Sequence, residues 1–225
     1  MEPDDVEPSV ELNIHIRLDE ASESEALRAG RDVPENLIQL GVEHVPHITL
    51  MLAKFRGASA EAAAPAVLEA LSPLASASPI RVQMRAGLPA PAGAYTFWDA
   101  ECTAELCALC EQVQLAVVPL LAAQALPPWV ASLPADEQSK RQAYLATYGT
   151  VNACEFFRPH VTIGVNAKPI DDSKRGGALP DNTFVAASVH VALAAEHGTV
   201  LPHELGVVRL AGSPSEDQAD QTAGK

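Results

Sequence analysis

Pro46-His47-Ile48-Thr49-Leu50 and Pro159-His160-Val161-Thr162-Ile163 repeat one pattern, Pro-His-aliphatic-Thr-aliphatic, with their histidines 113 residues apart. From average residue usage, one such pentapeptide is expected in roughly one of several hundred chains of this length, so two together argue against coincidence. Each segment reads as a strand. In a strand, His and Thr at i and i+2 project from one face, while the aliphatic residue between them faces the other. Each segment therefore presents an imidazole beside a hydroxyl. If the two strands lie near each other in one sheet, two imidazoles and two hydroxyls surround a common pocket.

That set of groups suits phosphodiester cleavage. A neutral imidazole takes a proton from an attacking water, and a protonated one supplies a proton to the leaving oxygen. Histidine's ordinary pKa of about 6.5 lets both forms exist near neutral pH. Each transfer is worth on the order of a hundred- to ten-thousandfold in rate. Threonine hydroxyls can donate to the non-bridging phosphate oxygens, where charge must be held in the transition state. His47 and His160 are thus the candidate catalytic pair and Thr49 and Thr162 the candidate phosphate-binding residues; the chemistry asks for no metal and no other cofactor.

The elements around the motifs follow from periodicity. Residues 11–18 alternate polar and apolar, which predicts a half-buried strand with Leu12, Ile14, Ile16 and Leu18 inward and His15 on the surface. Asp19 or Ser22 caps a helix toward Ala29, and a short turn over 34–40 ends at Gly41. Residues 47–52 form the first motif strand, with His47, Thr49 and Met51 on one face. An alanine-rich helix covers 60–74. Residues 80–86 and 95–102 read as two strands joined by the Pro/Gly-rich turn 87–93. Thr103 caps a helix to about Val118. Pro127, Pro128 and Pro134 precede a polar helix over 136–148 that stops at Gly149. Residues 160–165 form the second motif strand, 166–182 a loop, and 184–194 and 204–210 two last strands. Strands and helices alternate, yet several neighbours look hairpin-connected, so the expected class is α+β rather than a doubly wound parallel sheet.

Composition limits the partners. Fifteen Lys and Arg against 29 Asp and Glu give a formal charge of −14, and no basic stripe is present of the kind that binds duplex DNA or long RNA. The expected substrate is a small nucleotide or a short RNA end. Part of the acidity lies in segments expected to be tails, residues 1–10 and a disordered 212–225, leaving one domain over 11–211. The amino-terminal segment has no apolar stretch of a secretory signal, and no apolar run is long enough to span a membrane. The four cysteines form no secreted disulfide pattern, so reduced thiols and a cytoplasmic location are expected. The expected state is a monomer. Cys107 and Cys110 form a CxxC inside a helix rather than at its start, which favours core packing over redox chemistry.

At the cleft rim, Arg158 lies two residues before His160 and so on the same side of the strand, where it can add charge to the phosphate site. Phe55, just after the first motif, and Tyr148, on the helix before the second, are candidates to stack on a base. The spacing of Tyr144 and Tyr148 favours packing of that helix onto the body. Lys54, Lys168, Lys174 and Arg175 also fall near the motif ends. His44, His190, His197 and His203 show no paired pattern.

At His47-Ile48-Thr49-Leu50 and His160-Val161-Thr162-Ile163 the sequence resembles the two-histidine (2H) phosphoesterase superfamily, which includes 2′-5′ RNA ligase-like proteins and 2′,3′-cyclic nucleotide phosphodiesterases. The resemblance implies a two-lobed, pseudo-symmetric α+β fold with antiparallel-rich sheets, outer helices and a central cleft, to which each lobe contributes one motif strand. It implies hydrolysis of a 2′,3′-cyclic phosphate or related cyclic nucleotide ester, or else trimming of RNA 3′ ends or 2′-5′ joining. A non-catalytic nucleotide-binding module is the alternative outside enzymology. The proline-rich segment and the helix after it, residues 127–150, look like an insertion or lid.

Overall fold

A computed structural model describes residues 7–169 and 177–212; most of both expected tails, together with Lys174 and Arg175, lies outside the described residues. Among the described residues, nine strands and four α-helices follow the order β1 (Ser9–Arg17), α1 (Glu20–Asp32), β2 (His47–Arg56), α2 (Ala60–Leu71), β3 (Ile80–Met84), β4 (Ala90–Ala92), β5 (Tyr95–Asp99), α3 (Ala104–Val117), α4 (Ala135–Tyr148), β6 (His160–Val165), β7 (Asn182–Ala186), β8 (Ser188–Ala194) and β9 (Val200–Arg209). The class is α+β, with a seven-stranded antiparallel sheet in the order β4-β5-β6-β2-β1-β8-β9 and a separate two-stranded sheet, β3-β7.

Helix ends fall where the cap chemistry places them. Asp19 Oδ1 accepts from the Ser22 N–H at 2.8 Å, and Thr103 Oγ1 from Leu106 N–H at 3.2 Å. The α4 helix ends at Gly149, whose φ of 70° is the left-handed conformation that stops helices, its N–H bonding to Leu145 O.

The two halves of the large sheet meet at the motifs. Ile48 on β2 pairs with Val161 on β6, antiparallel, so a local two-fold axis passes between them. By that register His47 stands opposite Thr162, and Thr49 opposite His160. On the outer side of each motif strand the pairing is also matched. His15 and Arg17 on β1 face Thr49 and His47, and Phe97 and Asp99 on β5 face Thr162 and His160. Each pairing then slips by one residue at the same place: Leu50 on β2 and Ile163 on β6, both at the fourth motif position, are left without a strand partner. These are β-bulges. The helices exchange supports, with α1 of the first half packing on β6 and α3 of the second on β2.

A bulge leaves a backbone carbonyl in need of a donor, because a buried unpaired carbonyl costs about 1–3 kcal/mol. Both are supplied by side chains. Gln114 on α3 donates to Leu50 O at 3.2 Å, alongside the Cys110 thiol at 3.3 Å. Asn36 donates to Ile163 O at 3.0 Å and accepts from Val165 N–H at 3.0 Å.

Several expectations are corrected. The middle of the polar face of β1 is not solvated: Asn13 is 0% and His15 2% exposed, covered by His47 and Thr49 from β2 and His190 from β8, while Glu11 and Arg17 on the same face are exposed. The bulge returns Met51 to the position opposite Ile14, so it does not share a face with His47 and Thr49. The 80–86 and 95–102 segments are joined by one antiparallel bridge, Met84 to Ala100, rather than by a continuous hairpin ladder. The ladder of β3 is with β7, while β5 pairs with β4 and β6. The single strand expected over 184–194 is two strands in different sheets, divided at Ala187. Cys102 and Cys107 are joined in a disulfide rather than reduced, and Cys110 is the buried thiol that reaches Leu50 O. Neither spacing nor helix position pairs Cys102 with Cys107; the strand-to-helix corner brings them together.

Candidate active site

Thr49, His160 and Thr162 line a cleft of about 890 Å³. His47 lies beside it, 6% exposed, with Nε2 3.1 Å from the Thr49 hydroxyl. The two imidazoles are held alike. Nδ1 of His47 bonds to Val45 O and Nδ1 of His160 to Arg158 O, each at 2.7 Å and each two residues earlier in the chain. A carbonyl only accepts, so both Nδ1 atoms carry protons. The reactive nitrogen in each ring is therefore Nε2, which in the neutral ring is the base and in the cation the acid.

Burial opposes charge on both rings. His47 is pushed down to about 4, chiefly by desolvation, with the Val45 carbonyl acting against it and His160 and His44 adding to the depression. His160 is also lowered by burial, and here the Arg158 carbonyl and the Asp99 carboxylate act in the opposite sense while the Arg158 guanidinium adds to the lowering. A bound phosphate would favour the cationic form of either ring.

Beyond the four motif residues the structure gathers groups that sequence reading passed over. Asn13 Nδ2 lies 3.1 Å from Thr49 Oγ1, 3.4 Å from His47 Nε2 and 3.3 Å from Gly198 O. The His15 ring meets His47 edge-on at 5.0 Å and stacks on His190 at 5.7 Å. His190 in turn bonds Glu204 at 2.5 Å and Ser188 at 2.8 Å. Phe97 covers His160 at 3.8 Å between ring centres, and Tyr95 stands near both Phe97 and His197. The one available signal was that polar residues on an alternating strand can face a site as well as solvent. Nothing in the local sequence marks Asp99.

The secondary candidates divide. Arg158 lines the cleft, but Asp99 binds it through two contacts, Nε–Oδ1 at 3.0 Å and Nη2–Oδ2 at 2.8 Å. Phe55 is a core residue, 0% exposed, because the bulge reverses the alternation before it; it is not available to stack on a ligand. Tyr148 does not line the cleft. Its hydroxyl donates to Glu111 on α3 at 3.1 Å, and Tyr144 likewise bonds Glu155, so this pair fastens α4 to the body. The 127–150 segment does contribute to the cleft, through Pro127, Trp129, Arg141, Leu145, Gly149 and Thr150. Arg141 sits between the Trp129 and Phe156 rings at 5.0 and 3.8 Å and pairs with Glu137 at 2.8 Å, which ties the segment together. Among the described cleft residues, Lys54 is the cation with no carboxylate within 4.0 Å. Among the described residues no group of three or more His, Cys, Asp or Glu stands at metal-binding spacing, and no helix is long and apolar enough to cross a membrane.

No protein-family profile matches the sequence, and no curated protein matches it. Solved structures do. TT0787 of Thermus thermophilus is similar at a TM-score of 0.55 and 19% identity, over 89% of this chain and 98% of that one. E. coli LigT complexed with 3′-AMP gives 0.49 at 11% identity over 90% and 98%, and a protein described as a phosphoesterase gives 0.47 at 15% over 90% and 99%. The chain shares the fold of TT0787.

Proposed function

We propose that this chain is a 2H phosphoesterase that hydrolyses a 2′,3′-cyclic phosphate or a related small cyclic nucleotide ester without a metal ion. The observation that carries the reading is the antiparallel pairing of Ile48 with Val161, which relates His47-Thr49 to His160-Thr162 by a local two-fold axis. In the reaction one imidazole Nε2 takes a proton from water as the water oxygen bonds to phosphorus. The bond from phosphorus to one ribose oxygen breaks, and the second imidazole Nε2 gives that oxygen its proton. Thr49 and Thr162 donate to the non-bridging oxygens; the Thr49 hydroxyl, now beside His47, turns to do so. Aromatic rings of Tyr95, Phe97 and Trp129 along the cleft suit a nucleoside.

The charge of the cleft favours a substrate with one phosphate over an RNA strand, since Arg158 and Arg141 are already paired with carboxylates. The test is a panel of 2′,3′-cyclic mononucleotides, cyclic-phosphate-ended oligonucleotides, 2′-5′ dinucleotides and ADP-ribose cyclic phosphate, assayed in chelator. A cyclic mononucleotide should be turned over best. His47→Ala and His160→Ala should each lower turnover by roughly a hundred- to ten-thousandfold with the fold retained. Near wild-type turnover in either variant would refute the assignment.

A further inference from the structure

We propose that the strands flanking the motifs divide the acid and base roles between two otherwise matched histidines: Asn13 and His15 on β1 hold His47 as the proton acceptor, and Asp99 on β5 holds His160 as the proton donor. The proposal rests on the phosphodiesterase reading.

The backbone treats the two histidines alike, with the same carbonyl on Nδ1, the same bulge three residues on and the same register to the flanking strand. The side chains at equivalent positions differ in kind. Opposite the threonines stand His15 on one side and Phe97 on the other; opposite the histidines stand Arg17 and Asp99. Residues directly opposed across an antiparallel pair project from the same face. Arg17 holds the register position beside His47 but acts on His15 and His190 behind it, whereas the Asp99 carboxylate acts on His160 itself.

Asn13 adds direction. Its Nδ2 is held by Gly198 O, so exchanging the carboxamide oxygen and nitrogen would set two acceptors against each other. With that orientation fixed, an N–H group faces Thr49 Oγ1 and His47 Nε2. A donor aimed at Nε2 favours the lone pair over the proton. Among the described residues, the titratable and charged groups around His47 are His15 and Arg17 from β1, His44 from the preceding turn and His160 from β6. Behind His15 stand His190, Glu204 and Arg209, and Glu11 and Lys54 lie farther along the cleft. Around His160 they are Asp99, Arg158 and His47. Burial of both rings lowers both, and Asp99 works against it at His160 alone.

Water is then activated at His47, and the ribose oxygen leaves toward His160. The nucleoside stays attached to that oxygen, so it lies on the side where Phe97 covers His160 and Tyr95 adjoins.

The test is a titration of the histidine ring protons by NMR, assigned with His47→Gln and His160→Gln, alongside the pH profile of kcat/KM. His47 should titrate below His160. Asp99→Asn should move the His160 midpoint and the basic limb of the profile down by on the order of one pH unit, leaving the acidic limb in place. Asp99→Glu should restore it, and Arg158→Gln should move the same midpoint up. Asn13→Asp should raise the His47 midpoint and the acidic limb. A reversed order, or an Asp99→Asn variant with an unmoved His160, overturns the inference while turnover continues. Correct order without turnover of any phosphodiester overturns instead the reading on which it rests.

Discussion

The burial of His47 makes the protein sensitive to acid in a way that can be measured apart from activity. In the unfolded chain this imidazole takes up a proton as the pH falls through its ordinary value of 6.5; in the folded protein it does so only near 4. Because the folded value is depressed, the full stability is present above 6.5 and is lost as the pH falls toward 4. The gap between those values corresponds to about 3 kcal/mol, most of it gone by about pH 4.5. His15, His160 and His190 are lowered by burial too, so acid titration of the wild type alone would sum them. A double difference isolates His47. Denaturant unfolding of wild type and His47→Gln would be measured at about pH 7 and about pH 4.5. The wild type should lose about 2–3 kcal/mol more than the variant between those conditions. Equal losses in the two proteins would show that His47 does not stay neutral in the fold, and the case for a buried base would fail with it.

Two further outcomes test the scaffold of the site. Gln114→Leu removes a donor from the Leu50 carbonyl and should cost about 1–3 kcal/mol in denaturant unfolding, with turnover reduced because Leu50 adjoins Thr49. Gly149→Ala places a side chain at a φ of 70°, with its Cβ 2.0 Å from Leu121 Cδ1, and should lower stability by about 1–2 kcal/mol or more. Its thermal midpoint checks this; an unchanged midpoint would count against the left-handed stop to α4.

Much of the secondary structure was legible because it is local. Asp19 and Thr103 announce the starts of α1 and α3, and Gly149 announces the end of α4. Errors came where a strand's meaning depends on its neighbour. The alternation in 11–18 correctly marked β1, but a strand with one polar face looks the same whether that face meets water or other strands' side chains. His15 was therefore read as a surface residue, although β8 brings His190 against it. Phe55 was placed at the rim because it follows the first motif, but β2 continues to Arg56 and the unpaired Leu50 turns Phe55 toward the core. A bulge is a property of two strands, and one strand's pattern does not contain it.

The motif residues His47, Thr49, His160 and Thr162, and the α+β class, can be read from the chain alone, because side-chain chemistry and a period of two are properties of short segments. Their convergence, the donors that complete both bulges, and the unlike neighbours of two like histidines are not readable there. Asn13, Asp99, Gln114 and Asn36 lie between 34 and 127 residues from the motif groups they touch or oppose. Which charge sits beside which imidazole is set by strand order and register, and those arise when the whole sheet buries its apolar face together.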